Sequence, residues 1–206
     1  MDYSSINKKT YDNLAQEYEE RVESLMPVTK AAMDYFASYI KPKGRVLDIG
    51  CAVGIAVSVL TEKGFEVCGI DISESMTGFA KKRNPNSKII TGDFLETEFE
   101  EKFDAVLAFA FIHLFPKKEV LRIIDKISAV LNSGGVALLS STESEESKEG
   151  WYVKDDFNKK EKRFRKFWTE EELRVIIQQA GFEVIDLKKF PDPFGKTWMD
   201  FIARKI

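Results

Sequence analysis

The chain has 206 residues, of which 44% are hydrophobic and 32% are charged, and its formal net charge is −3. This length and apolar content predict a single domain with a well-filled core over residues 1–206. The slight negative charge gives no general attraction to nucleic acid or to an anionic membrane, so we expect a small molecule as the partner.

The N-terminal residues and the lack of a long apolar run predict a cytoplasmic protein. Residues 1–10 lack the apolar core of a signal peptide, and no apolar run approaches the roughly 20 residues that a membrane-spanning helix needs. Cys51 and Cys68 have neither metal-ligand spacing nor the count of a disulfide framework. We interpret both as small buried hydrophobic residues and predict no metal site.

Strand and helix signals alternate along the chain, which is typical of a parallel sheet covered by helices on both faces. Residues 8–40 are predicted to be helical and divided at Pro27, within an N-terminal cap that covers residues 1–43. The first four strands are predicted at residues 45–48, 65–71, 88–91 and 103–108. The last of these is nearly all apolar, as expected for a parallel strand buried on both faces.

Capping residues mark the helices between and after these strands. The predicted helices run from Gly54 to Gly64, from Ser73 to Asn84, from Pro116 to Leu131 and from Thr169 to Gly181. Ser73 is a predicted N-cap, and Thr169 with Glu172 has the spacing of a capping box.

The closing segment predicts a hairpin. A fifth strand is expected at residues 136–140, and another follows the helix that ends at Gly181. A turn over residues 191–195 then lets residues 198–204 return as an antiparallel partner.

The segment from Val46 to Gly54 predicts a strand, a tight turn and the start of a helix, which together suit a bound adenosine. Glycines allow close backbone approach, and the helix start presents unpaired N–H groups. Asp71 ends the next strand, where a carboxylate can accept hydrogen bonds from ribose hydroxyls. Nicotinamide-binding folds share this plan, but their G-x-G-x-x-G fingerprint is absent from this turn, which has Gly50, Ala52 and Gly54.

This turn resembles the D-x-G-x-G-x-G motif of the class I S-adenosylmethionine-dependent methyltransferases, with Asp48 leading it and Ala52 in place of the middle glycine. The resemblance covers nearly the whole chain, including the closing hairpin. It implies an α/β fold with a seven-stranded, mostly parallel, doubly wound, Rossmann-like sheet whose last strand is antiparallel. It also implies S-adenosylmethionine as methyl donor and S-adenosylhomocysteine as product.

The resemblance assigns the adenosine half of the cofactor to residues after the second and third strands. Asp71 would bind the ribose hydroxyls, and Asp93 would accept from the adenine amino group, with Phe94 beside the ring. Ile72 and Met76 would form the other wall of this slot. Asp93 could instead belong to an ordinary turn, and Ile72 and Met76 could be simple core residues.

The methionine half is assigned to the turn and the N-terminal cap. Asp48 would hold the ligand's ammonium, although its carboxylate could equally cap backbone N–H groups. The remaining residues that the resemblance places at the cofactor are Gly50, Cys51, Gly54, Phe109, Tyr11, Tyr18 and Arg21. Arg21 could pair with the ligand's carboxylate; the seven-residue spacing of Tyr11 and Tyr18 places both on one helix face, which packing alone would also explain.

His113 is the only histidine and follows the fourth strand, where the transferred methyl group should lie. It is therefore the candidate general base at neutral pH. Methyl transfer from a sulfonium needs a base only if the acceptor starts protonated, so His113 could instead contact the substrate or serve the structure.

Substrate choice is expected to depend on a variable lid over residues 141–168, an acidic half followed by a basic and aromatic half. Its aromatic residues could wall an apolar acceptor; they are Trp151, Tyr152, Phe157, Phe164, Phe167 and Trp168. Arg163 and Arg165 could hold a carboxylate or phosphate. Alternatively, the alternation of Arg163, Phe164 and Arg165 forms an extended lid strand with one solvated face.

The sequence thus predicts a methyltransferase that acts on an oxygen, nitrogen or sulfur atom of a small molecule, as a monomer or homodimer. The N/D-P-P-Y signature of DNA and protein amino-group methyltransferases is absent after the fourth strand, where residues 109–112 read FAFI. RNA is not the expected substrate, although a basic-aromatic segment also suits single strands. The alternatives are a non-catalytic binder of adenosine nucleosides and, less in keeping with the turn, an NAD(P)-dependent oxidoreductase.

Overall fold

The computed structural model of the protein describes residues 3–154, 157–192 and 195–206. Over these residues the helices are α1 (Tyr3–Glu20), α2 (Val22–Ala37), α3 (Ile55–Glu62), α4 (Glu74–Arg83), α5 (Lys117–Val130) and α6 (Glu170–Gln179). The strands are β1 (Arg45–Ile49), β2 (Glu66–Asp71), β3 (Lys88–Thr91), β4 (Phe103–Ala108), β5 (Leu131–Thr142), β6 (Lys148–Lys154), β7 (Glu161–Phe167), β8 (Phe182–Pro191) and β9 (Thr197–Lys205). A short 3-10 helix, Ile112–Leu114, follows β4.

Seven strands form one sheet in the order β3-β2-β1-β4-β5-β9-β8. The pairs among β1 to β5 are parallel, and β9 is antiparallel to both β5 and β8. The strand order reverses between β1 and β4, which is the position where open α/β sheets bind ligands. The predicted doubly wound, mostly parallel sheet with an antiparallel last strand is confirmed.

The central strands have buried apolar side chains on both faces of the sheet, and helices cover each face. One face of the sheet, with Leu47 and Leu139, packs against the buried residues of α5 and α6. The other face, with Val46 and Leu138, packs against α2 and α3. The central strands are thereby fixed, and so is the edge at which their carboxyl ends meet.

The capping residues begin their helices as predicted. The Ser73 side chain accepts a hydrogen bond from Met76 N at 3.1 Å and starts α4. The Thr169 side chain accepts from Glu172 N at 3.2 Å and starts α6.

Two sequence predictions were wrong in detail. Pro27 lies inside α2, and the break between the N-terminal helices is at Arg21 instead. Pro27 cannot donate a hydrogen bond to the carbonyl of residue 23, but the helix continues through it. The fifth strand is longer than predicted, because Phe103 pairs with Leu131 and a register shift accommodates residues 132–135.

The lid region forms a second, two-stranded sheet in which β6 and β7 are antiparallel. In the acidic half of the lid, β5 extends to Thr142 and β6 begins at Lys148, so residues 143–147 connect the two strands. Residues 155 and 156 of the lid and 193 and 194 of the predicted turn lie outside the described residues. Within the described part of the chain, no helix has the length and apolarity needed to cross a bilayer.

Candidate active site

A cavity of about 280 Å³ lies at the carboxyl ends of β1, β2 and β4, beneath α1 and the β6–β7 hairpin. It is lined by predicted site residues from every one of these strand ends and from the N-terminal cap. Those residues are Tyr11, Tyr18, Arg21, Asp48, Gly50, Cys51, Asp71, Ile72, Asp93, Phe94, Phe109 and His113. The structure therefore brings together side chains that the sequence separates by about half its length.

The turn after β1 is held by the carboxylate at the end of β2. Asp71 accepts hydrogen bonds from Ala52 N and from Ser73 N, both at 2.9 Å. Ala52 has φ 46°, in the left-handed region that glycine prefers, so its bond to Asp71 stabilises a strained turn. Gly50 has φ 72°, and a Cβ there would overlap the ring of Phe111. The turn consequently keeps its backbone open to the cavity.

Two carboxyl groups, the buried Asp48 and the partly buried Asp71, lie close together at this turn. Burial raises the pKa of Asp48 to about 8, and the negative charge of Asp71 adds to the effect. Burial also raises the pKa of Asp71 to about 6, against the hydrogen bonds from Ser73 N and Ala52 N, which favour its ionised form. Asp48 Oδ2 is buried and has no hydrogen-bond partner among the described residues. Such an atom is stabilised by a donor from a ligand.

The residues after β2 and β3 form one wall of the cavity. Ile72, Asp93 and Phe94 all line it, and Phe94 is otherwise buried in the core. Asp93 accepts from Leu95 N at 2.9 Å and from Ser4 Oγ of α1 at 2.5 Å. The carboxylate thus has a fixed orientation and also connects α1 to the rim of the cavity.

Gly54 and Met76 do not line the cavity. Gly54 has φ 81° and caps α3, where a Cβ would approach Ala80 of α4 within 3.0 Å. The third glycine position of the motif therefore serves helix packing as well as backbone geometry. Met76 is fully buried in a cluster with Ala15 and Val53. Of the two interpretations of Met76, a wall of the adenine slot or a core residue, its surroundings favour the core residue.

The N-terminal helix α1 and the hairpin close over the cavity together. Tyr18 stacks on Phe157 with ring centroids 4.8 Å apart, and the Arg21 guanidinium lies 3.8 Å from the centroid of the same ring. Tyr11 OH accepts from Arg163 at 3.4 Å. The three predicted cap residues thus lie at the cavity and also contact the lid.

His113 is almost completely buried, and its Nδ1 has no hydrogen-bond partner among the described residues. Its ring lies edge-on to Trp198, with centroids 5.7 Å apart. Burial lowers the pKa of His113 well below its usual value, and the positive charges of Arg165, Arg163, Lys154 and Lys196 lower it further. The imidazole is therefore neutral at physiological pH and a weak base.

Of the aromatic lid residues, Phe157 lines the cavity, and the other five predicted do not. Trp151 and Phe164 instead pack against Tyr3 of α1, at centroid distances of 5.7 and 5.2 Å. The predicted extended strand is present as β7, but its arginine face is not solvated: Arg165 is 7% exposed, and Arg163 and Arg165 line the cavity.

Several residues that shape the site were not predicted from the sequence. Lys196 and Trp198 reach the cavity because β9 is antiparallel, which places its start and the residue before it at the edge where the parallel strands end. The closing hairpin predicted from the sequence already implied that this strand is antiparallel. Asp12 and Glu17 fasten α1, through Ser73 Oγ at 2.6 Å and Asn158 N at 2.7 Å respectively. Sequence spacing carries no signal for such contacts between distant segments.

The comparisons with known proteins agree with this architecture. The methyltransferase domain family matches residues 18–187. An uncharacterized methyltransferase of Alkaliphilus oremlandii is 31% identical over 166 residues, which cover 74% of this chain and 70% of that protein. The Bacillus subtilis methyltransferase YqeM is 33% identical over 138 residues, 62% of this chain and 53% of YqeM, so the match spans about half of that relative.

Among solved structures, the 1,6-didemethyltoxoflavin-N1-methyltransferase of Burkholderia thailandensis superposes with a TM-score of 0.77. It is 19% identical, and the superposition covers 98% of this chain and 88% of that one. That structure contains 1,6-didemethyltoxoflavin and S-adenosylhomocysteine. The oxidoreductase alternative is not retained, since the chain belongs to the methyltransferase domain family and has the fold of the S-adenosylmethionine-dependent methyltransferases.

Proposed function

We propose that the cavity binds S-adenosylmethionine along the carboxyl ends of β1 to β4 and presents its methyl group to a small molecule held beneath the lid. Asp71 would bind the ribose hydroxyls, and Asp93 the adenine amino group. Asp48 would hold the ammonium of the methionine half, and Arg21 its carboxylate. The cofactor supplies an electrophilic methyl carbon on a positively charged sulfur.

The observation that carries this proposal is the buried Asp48 carboxyl group beside the open turn. Its Oδ2 has no partner among the described residues, and it lies in a wall of the cavity. A buried carboxylate is costly unless a cation or several donors compensate it. An ammonium group supplies a positive charge and several N–H donors, so the residues present fit the methionine half of this cofactor.

In the reaction, a lone pair of the acceptor atom attacks the methyl carbon in line with the carbon–sulfur bond, whose electrons remain on sulfur. The protein's task is mainly to hold these atoms in line and to exclude water. His113 would contact the acceptor as a neutral imidazole. Burial lowers its pKa, which makes it a weak general base in the ligand-free protein.

The lid and the start of β9 would form the acceptor half of the cavity. Phe109, which the resemblance assigns to the cofactor, and Trp198 both line the cavity, and their rings are stacked with centroids 6.0 Å apart. The pair would supply a flat apolar wall. The location in the cytoplasm, the single-domain organisation and the monomeric or homodimeric state stay predictions from the sequence.

Calorimetric titration tests the proposal directly. The purified protein is titrated with S-adenosylmethionine, S-adenosylhomocysteine and NAD in parallel. Dissociation constants of about 1–100 μM for the first two, with no heat from NAD, are the expected result. Binding of NAD alone, or of none of the three, would contradict the assignment of this cavity.

A further inference from the structure

Besides Asp48 Oδ2, two buried polar atoms of cavity residues have no hydrogen-bond partner among the described residues. They are Oδ1 of Asn7 in α1 and Nδ1 of His113 in the short 3-10 helix after β4. Asn7 is 4% exposed and His113 is 2% exposed, and both residues line the cavity. Buried polar atoms are rarely left unpaired, because a missing hydrogen bond costs free energy. The two atoms therefore indicate a polar group on a ligand.

The orientation of the Asn7 amide follows from its neighbour. Its Nδ2 lies 3.5 Å from the carbonyl oxygen of Leu114, the residue after His113. An amide nitrogen donates to a carbonyl, whereas the reversed amide would set two acceptor oxygens against each other. The amide therefore presents its nitrogen to Leu114, and its oxygen is left for another group. That group has to be an N–H or O–H donor.

The position of Asn7 on α1 places it between the two halves of the cavity. Ser4, one helical turn earlier, donates to the carboxylate that is assigned to the adenine amino group. Tyr11, one turn later, contacts β7 of the lid. Asn7 lies between them and bonds to the same 3-10 helix that carries His113. The two unpartnered atoms thus belong to one region of the cavity.

Aromatic rings adjoin His113 in this region. The Trp198 ring lies edge-on to the imidazole, with centroids 5.7 Å apart, and stacks with Phe109 at 6.0 Å. Trp198 Nε1 already donates to Asp192 Oδ2 at 3.0 Å, so the indole presents its apolar surface to a ligand. Trp198 and Phe109 are half-buried, and both line the cavity. Such rings favour an aromatic body on the ligand.

We propose that the methyl acceptor is a small aromatic molecule with a hydroxyl or N–H group, and that Asn7 recognises this group. This inference rests on the proposed function, because it describes the acceptor half of the same cavity. Asn7 Oδ1 accepts the hydrogen bond, and His113 Nδ1 contacts the same polar group. A hydroxyl satisfies both atoms, since it donates to Asn7 and accepts from an imidazole that carries its proton on Nδ1. The aromatic body packs against Phe109 and Trp198.

The test uses probes in pairs of matched shape. Phenol is compared with fluorobenzene, and indole with benzofuran, because the second member of each pair lacks the O–H or N–H donor. Each probe is titrated into the full chain by two-dimensional NMR, with and without saturating S-adenosylhomocysteine. We expect the donor of at least one pair to bind about fivefold or more tightly than its partner. Equal affinity within both pairs, or no binding of any probe, overturns the proposal.

Cyclohexanol tests the aromatic body, because it carries a hydroxyl on a ring that is not flat. We expect it to bind about threefold or more weakly than phenol. Cyclohexanol that binds as tightly as phenol would overturn the assignment of an aromatic acceptor.

Variants locate the donor-binding atom. Asn7→Leu keeps the size of the side chain and removes the amide, so the affinity ratio within each pair should fall to about one. Asn13→Leu is the matched control, since it removes an exposed amide of the same helix that donates to Glu161 at 2.7 Å. The control should keep the ratio. Should Asn7→Leu fail to fold, Asn7→Ala removes the same amide with a smaller side chain. An unchanged ratio in the Asn7 variant overturns its role.

The two proposals fail in different ways. If S-adenosylhomocysteine binds but donors are not preferred, this acceptor is excluded and the cofactor site stands. If donors are preferred but S-adenosylhomocysteine does not bind, the aromatic site stands and the cofactor assignment is lost. If Asn7→Leu weakens S-adenosylhomocysteine by about tenfold and keeps the donor preference, Asn7 binds the cofactor and the inference is overturned.

Discussion

A single carboxylate, that of Asp71, organises the turn after β1 and also lines the cavity. Asp71 closes the strained turn through Ala52 N, and it holds Ser73 N at the start of α4. Its position could be predicted because the apolar run that forms the strand ends at this residue in the sequence. The sequence could not predict that Asp71 is already bonded to two backbone groups, since these bonds depend on the path of the turn.

Asp71→Ala is expected to lower S-adenosylhomocysteine affinity by about 1.5–3 kcal/mol, because charge-assisted hydrogen bonds to the ribose are lost. Asp71→Asn, which keeps an acceptor oxygen, should lose less. Calorimetric titration gives the affinities, and thermal unfolding shows how far the turn itself is weakened. The exposed Asp125→Asn is the charge control, and wild-type affinity in Asp71→Ala would rule out the ribose assignment.

The raised pKa of Asp48 predicts that the protein releases a proton when the cofactor binds. With a pKa of about 8, its carboxyl group is mostly protonated at pH 7 in the free protein, and an ammonium beside it favours the ionised form. Binding should therefore release about one proton at pH 7, and the affinity for the cofactor should rise with pH up to about 8. Titrations in buffers of different ionisation enthalpy measure this release. An equal release from Asp48→Asn would assign the proton to another group.

At the scale of elements, α1 is fastened by polar contacts to segments far away in the chain. Asp12 accepts from Ser73 Oγ and Ser75 N of α4, and buried Glu17 accepts from the backbone of residues 158 and 159 in the hairpin. Helix α1 could be predicted from its composition. Its partners could not, because hydrogen bonds between residues 61 to 142 positions apart leave no local pattern.

Glu17→Gln is expected to loosen the lid by about 1–2 kcal/mol, since a charged acceptor of two backbone hydrogen bonds is replaced by a neutral amide. Hydrogen exchange should become faster in α1 and in residues 157–160, while the central sheet stays protected. S-adenosylhomocysteine should also dissociate faster. Glu20→Gln, on the exposed side of the same helix, is the control, and equal exchange in both variants would contradict this role.

At the scale of the whole molecule, the sequence predicted the sheet better than the site. The order of the central strands follows from alternating strand and helix signals and short connections, which leave few topologies open. The antiparallel β9 was expected from the closing hairpin, and it brings Trp198 beside Phe109. The cavity depends further on how the β6–β7 hairpin docks on α1, which involves the outer side chains Tyr3, Trp151 and Phe164.

The burial that forms the site also makes the stability of the cofactor-free protein depend on pH. A carboxyl group whose pKa is raised by folding stabilises the protein at low pH, and this contribution is lost as the pH rises through the folded-state pKa. Asp71 and Asp200 each have a pKa of about 6, so their stabilising contributions are lost at lower pH than that of Asp48. His113 acts in the opposite direction, because its lowered pKa costs stability only below its usual value near 6.5.

Between pH 6.5 and 8, Asp48 is therefore the dominant group of those buried in the described part of the chain. The free energy of unfolding should fall by about 1–2 kcal/mol across this interval, since each pH unit costs up to about 1.4 kcal/mol for one bound proton. Urea unfolding at a series of pH values measures the fall. Asp48→Asn should flatten it, and saturating S-adenosylhomocysteine should do the same by supplying an ammonium partner. A fall of equal size in Asp48→Asn would mean that the titrating group lies elsewhere.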